Sequence, residues 1–382
     1  MTDGLSPTPV RQMRRTLSTI ALSAGFVLTG AGTVMLGVLL PTLSLRWELR
    51  DDQAGLLLFL QFFASGAGAI VTGLNRIRSM AIGYGLITLA LGVLVVDGPH
   101  AAYVGFFFFG LGLGMAMTST SLLFSDRWGE DRAAKLEWLN FAWSGGAMTG
   151  PICFLPFLHR GDLSLLFATM LFLSFVMLFW VVFLEHHEPG IVPPPKSGAV
   201  SRSARTLFSL LLLLAMTTVG VEAALSGWLT TYSQRAGMRS LAGAALATSI
   251  FWLGEMVSRL AFSTNLLARV GRRTVLQIGV LGITVSATMV IAVPEPWLIL
   301  VAAGAAGVFV GPLYPLSLSY LLELSPWGWF FAVGGIGAAL FPWITGLVSA
   351  HFHSLRFGLT VPCIAGLLMI GLIPLIFRRI QN

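Results

Sequence analysis

Between Thr206 and Thr231 the chain reads TLFSLLLLLAMTTVGVEAALSGWLTT, and the one charged residue in it is Glu222, near the middle. An apolar run of about 20 residues is long enough to cross a bilayer as a single helix. A carboxyl group at the centre of such a helix costs about 2.5–3.5 kcal/mol on insertion, and acids kept at that depth face a partner or a cavity inside the protein. The stretch therefore sets two expectations: a membrane-spanning fold, and an interior in which Glu222 has a use.

Composition points the same way. The 382 residues are 56% hydrophobic and 10% charged, with a mean hydropathy of +0.84. Soluble domains carry about 25% charged residues, so the chain reads as an integral membrane protein. Apolar runs fall at Thr16–Leu43, Gln53–Gly73, Met80–Val96, Ala101–Ser125, Leu136–Phe157 and Leu163–Leu184. Six more follow at Thr206–Thr231, Leu241–Phe262, Thr274–Val293, Trp297–Leu322, Trp327–Ala350 and Phe357–Phe377. The expected fold is all-α, with twelve transmembrane helices in two pseudo-symmetric six-helix bundles, residues 1–184 and 206–382, joined by a linker at 185–205. The first run is too long for the apolar core of a signal peptide and is read as a retained helix.

Lys and Arg divide unevenly between the two ends of these spans. One face gathers 16: Arg11, Arg14, Arg15, Arg76, Arg78, Arg127, Arg132, Lys135, Lys196, Arg202, Arg205, Arg269, Arg272, Arg273, Arg378 and Arg379. The other receives 6, namely Arg46, Arg50, Arg160, Arg235, Arg239 and Arg356. By the positive-inside rule both termini are cytoplasmic, in a cell membrane of the bacterial inner-membrane type. The net charge of +7 is thus topological and calls for no nucleic-acid partner.

The halves echo each other at an offset of 188 positions, which sets Gln53-Ala54-Gly55 on Leu241-Ala242-Gly243, Gly66 on Gly254, and Gly32 on Gly220. Gly146 with Pro151 in the fifth span repeats as Gly337 with Pro342 in the eleventh. Duplicated bundles facing one another across a midplane site are a transporter design.

Three groups of residues carry a family resemblance. The first is the turn after the eighth span, Asn265-Leu266-Leu267-Ala268-Arg269-Val270-Gly271-Arg272-Arg273, which resembles the loop signature of the major facilitator superfamily. The second, Gly146-Ala147-Met148-Thr149-Gly150-Pro151, resembles the GxxxGP element of that superfamily. The third comprises Gly37 to Pro41 followed by Asp52 to Gly55, Glu222 to Tyr232, and Gly311-Pro312-Leu313-Tyr314-Pro315, which are similar to the fucose–proton symporter-like branch. The resemblance implies alternating access and a cavity lined by the seventh helix. Symporters of that branch carry membrane acids on helices 1 and 4, and this chain has none there, so those residues do not carry over.

Glu222 is accordingly the candidate proton-coupling residue; the competing reading makes it a polar lock against a facing helix. Glu255 has Arg259 four positions on, a self-compensating ion pair with a structural or gating role. Arg269, Arg272 and Arg273 join it as ion-pair or gating candidates. Gln61, Asn140, Trp143, Trp228, Trp252 and Tyr314 are the polar and aromatic groups inside spans that suit a sugar, whose ring stacks while its hydroxyls bond. Their competing reading is packing or interfacial anchoring.

No histidine falls within a span; His186 and His187 sit in the linker with Pro193-Pro194-Pro195, and Cys153 and Cys363 read as core residues. No metal site, cofactor or enzymatic motif is expected. The function expected is secondary transport, as a monomer, of a small polar solute such as a sugar, coupled to protons. The alternatives are export of amphipathic drugs or lipids and, in another class, a non-transporting membrane sensor or assembly partner.

Overall fold

The structure, a computed structural model, describes residues 9–73, 75–128, 132–183, 185, 205–238, 240–263, 269–293, 295–324 and 331–381. Its long helices are α1 (Pro9–Arg46), α2 (Asp51–Ile70), α3 (Arg76–Val95), α4 (Pro99–Trp128), α5 (Arg132–Arg160), α6 (Leu163–Phe183), α7 (Arg205–Arg235), α8 (Leu241–Ser263) and α9 (Arg272–Ala292). They continue with α10 (Pro296–Val310), α11 (Leu313–Leu324), α12 (Phe331–Phe352), the short α13 (Leu355–Gly358) and α14 (Thr360–Gln381). Among the described residues twelve segments are long and apolar enough to cross a membrane; α10 with α11 forms the tenth and α13 with α14 the twelfth. The break in the tenth falls at Gly311-Pro312, where proline removes a backbone donor from the ladder.

Lipid offers the backbone no hydrogen-bond partner, so apolar spans must be helical. Hydroxyls within them are satisfied locally: Thr217 and Thr218 donate to the carbonyls of Leu213 and Leu214 at 2.7 and 2.8 Å. Polar residues set the starts. Gln53 accepts from the Arg50 N–H at 3.0 Å while Asp51 and Asp52 occupy the first turn of α2. Asn75 accepts from the Arg78 N–H at 3.0 Å and starts α3.

Within the first half α1 packs on α5, and α4 on both α2 and α3; within the second, α7 packs on α12 and α8 on α10. Across the halves α2 lies along α12, α5 along α8, and α1 against α7. The expected equivalence of Gly146 and Gly337 has a physical basis. A methyl on Gly146 would stand 1.9 Å from the Val27 carbonyl oxygen of α1, and one on Gly337 2.0 Å from that of Met216 on α7. Each glycine lets the fifth helix of its half sit directly on the first.

Glu185, placed by the sequence at the start of the linker, is instead buried against the first half. It pairs with Arg127 at 2.5 Å and accepts from Ser18 at 2.8 Å and Trp180 at 3.3 Å. The linker histidines and prolines, Asn265 to Ala268 and Trp327 lie outside the described residues. Of the cysteines, Cys363 is buried as expected, whereas Cys153 is exposed on α5.

Candidate functional site

One face of α8 presents Trp252, Glu255 and Arg259 toward α5, at spacings that stack side chains along a helix. Glu255 is fully buried and ion-paired with Arg259, whose side chain is 26% exposed. Arg259 also reaches out of its own half: its Nη1 lies 3.5 Å from the Ser144 Oγ on α5. Trp143, beside Ser144, meets Trp252 edge to face with ring centroids 5.2 Å apart. Both indoles lie about 16 Å along their helices from the ends on the arginine-rich face, close to the middle of each span.

This seam holds donors without acceptors. Nε1 of Trp143, Nε1 of Trp252 and Nε of Arg259 are buried and make no hydrogen bond among the described residues. A buried donor left unpaired costs about 1–3 kcal/mol. Three of them beside one ion pair mark a place suited to oxygen atoms of another molecule. Asn140, one turn before Trp143 and Ser144 on the same helix, is exposed.

Glu222 lies midway along α7, partly exposed, and interacts electrostatically with Glu255, Arg259 and Tyr314. Among the described residues no side chain donates a hydrogen bond to it. Two carboxylates thus lie within electrostatic reach of one guanidinium, a surplus of negative charge inside the membrane-spanning region when both are ionised. A proton or a ligand donor reaching Glu222 would offset that surplus. Tyr314 opens α11 and lies beside Gly334 of α12.

The remaining candidates sit elsewhere. Trp228 is fully buried and its N–H donates to the Pro342 carbonyl at 2.9 Å, pinning α7 to α12. Gln61 is buried and donates to the Thr33 carbonyl at 3.0 Å, holding α2 to α1, with its Oε1 unpartnered. Arg272 pairs with Glu323 at 2.6 Å and stacks over Tyr320, Arg273 stacks over Phe377, and Arg269 is exposed. Those pairings of Arg272 and Arg273 close within the second half. Gly271 between them has φ of 84°, a left-handed turn that favours glycine.

Sequence reasoning missed Ser144, and it missed a contact of Asp51 with Arg235 and Ser349 at the opposite face. No spacing rule announces either, because each joins segments far apart in the chain.

The family model of the Major Facilitator Superfamily matches residues 22–264. The chain belongs to that superfamily and is a multi-pass membrane transporter, not an enzyme. No curated protein sequence matches it. Among solved structures, a variant of the nucleoside transporter NupG aligns with a TM-score of 0.74 at 16% identity, covering 94% of this chain and 99% of that one. A variant of the peptide transporter POT aligns at 0.77 and 13% identity, covering 95% of each chain. A variant of the E. coli fucose:proton symporter FucP aligns at 0.63 and 16% identity, covering 94% and 98%. The branch resemblance drawn from motifs thus has a structural counterpart in FucP, and at such identities the likeness is one of fold.

Proposed function

We propose that the protein is a secondary active transporter that moves a small polar solute, a sugar or related carbohydrate, by alternating access and coupled to protons. Residues 1–184 and 206–382 are the two moving bodies, 185–205 joins them, and a monomer suffices. The arginine-rich face is cytoplasmic, both termini with it, in a membrane of the bacterial inner-membrane type.

The carrying observation is Glu222, a partly exposed acid to which no described side chain donates, within electrostatic reach of the Glu255–Arg259 pair on the helix that carries Trp252. An acid so placed can take a proton from one side and release it to the other. Indole faces offer a stacking surface for a sugar ring, while unpaired indole N–H groups suit its oxygens. Gln61 and Trp228 act as packing residues in this reading, and Glu255 with Arg259 as a wall of the site. The fucose:proton symporter named among the similar structures moves a solute of this class.

The test is uptake of labelled sugars into proteoliposomes with and without an imposed proton gradient. Gradient-driven accumulation of a sugar supports the reading. Accumulation indifferent to the gradient removes the coupling, and efflux of lipids or amphipathic dyes in place of sugar uptake removes the solute class.

A further inference from the structure

On the arginine-poor face α2 begins where α7 and α12 end. Arg235 donates through Nη1 and Nη2 to the two carboxylate oxygens of Asp51, each at 2.7 Å, and Ser349 donates to Oδ2 at 2.5 Å. Asp51 belongs to the first half; Arg235 and Ser349 belong to the second. The Asp51 side chain is 11% exposed and that of Arg235 45%, so the acid is held away from water while the bidentate guanidinium meets it from the surface.

Beneath this contact the halves touch backbone to backbone. A methyl on Gly346 would lie 3.0 Å from Gly55 Cα, and one on Gly37 would lie 3.0 Å from Gly227 Cα. At the opposite face, the ion pairs Arg76–Asp126, Arg127–Glu185 and Arg272–Glu323 each close within one half. The halves are thus tied by charge at the arginine-poor face, while those three pairs at the other face each tie a half to itself.

We propose that Asp51, Arg235 and Ser349 form a latch that holds the arginine-poor face shut, with Asp51 as its keystone, and that a solute crosses that face only after the latch breaks. Asp51 accepts from both arms, so its loss frees two donors at once, whereas loss of Ser349 frees one. Asp51→Asn therefore opens this face more than Ser349→Ala: about tenfold against about threefold in the ratio of open to closed molecules. Gly37→Ala, which changes no latch residue, wedges α1 from α7 beneath the latch and pulls it apart, opening the same face.

The test is pulsed electron–electron distance measurement on the full chain in lipid nanodiscs, with Cys153 and Cys363 replaced by Ala. Spin labels go on Leu45→Cys, exposed at the end of α1, and Arg356→Cys, exposed on α13. The parent should give a short distance, and Asp51→Asn and Gly37→Ala a longer population. The exchange variant Asp51→Arg with Arg235→Asp should recover part of the short one. An Asp51→Asn distribution equal to the parent's overturns the latch, as does an exchange variant that stays long. If Asp51→Asn does not fold, unchanged distances in both Ser349→Ala and Gly37→Ala overturn it. Neither solute nor proton gradient enters the measurement, so its failure leaves the transport reading standing.

Discussion

Trp143 of α5 and Trp252 of α8 meet edge to face at 5.2 Å, and the contact bridges the two halves of the transporter. Neither indole N–H has an acceptor among the described residues. Ser144, next to Trp143, and Arg259, two turns beyond Trp252, make a second bridge at 3.5 Å. A seam of this kind can part without breaking a strong bond and offers its free donors to whatever enters.

Trp143→Phe and Trp252→Phe keep an aromatic ring while removing the N–H and part of the indole's volume. Each should raise the KM for the proposed solute by about three- to tenfold, the worth of one neutral hydrogen bond, beside a stability loss of about 1–2 kcal/mol for the space the smaller ring leaves. Transport kinetics beside a melting curve separate the two effects. A loss of stability without a change in KM would make these indoles packing residues.

Glu255 and Arg259 should behave as a unit. Glu255→Ala strands a guanidinium on α8 and should lower stability by about 3 kcal/mol, the low end for a broken buried pair because Arg259 retains some exposure. The double variant Glu255→Gln with Arg259→Gln should recover part of that loss. Thermal unfolding in detergent reads both, and a double variant no better than the single one would show that the charges act independently.

Gly146 and Gly337 should be equally intolerant of a methyl, since each would press on a carbonyl oxygen of the first helix in its own half. Gly146→Ala and Gly337→Ala should each cost about 1–3 kcal/mol. Gly145→Ala is the control, because a Cβ there meets nothing within 4 Å. Folded yield by size-exclusion chromatography reports the difference, and an equal loss from Gly145→Ala would dissolve the distinction.

The spans were legible in the sequence because lipid imposes a long apolar run on any helix that crosses it. The repeat was legible for a related reason: Gly146 and Gly337 are fixed by the same backbone approach, so their spacing to Pro151 and Pro342 survives in both halves. Contacts between distant segments were not legible. Asp51 beside Asp52 and Arg235 near Arg239 look like ordinary loop charges until α2, α7 and α12 are brought together. Trp228 and Trp252 both read as aromatic residues inside spans, and only packing separates them, sealing the first against Pro342 and setting the second beside Trp143. Glu185 read as linker because its partners, Ser18 and Arg127, lie on other helices.

Glu222 remains the residue on which the transport reading rests, and Glu222→Gln removes its charge while nearly preserving its shape. The variant, reconstituted in proteoliposomes, should lose gradient-driven accumulation of sugar while still exchanging labelled for unlabelled sugar across the membrane. Accumulation at the parent rate under the same proton gradient would contradict the role assigned to Glu222.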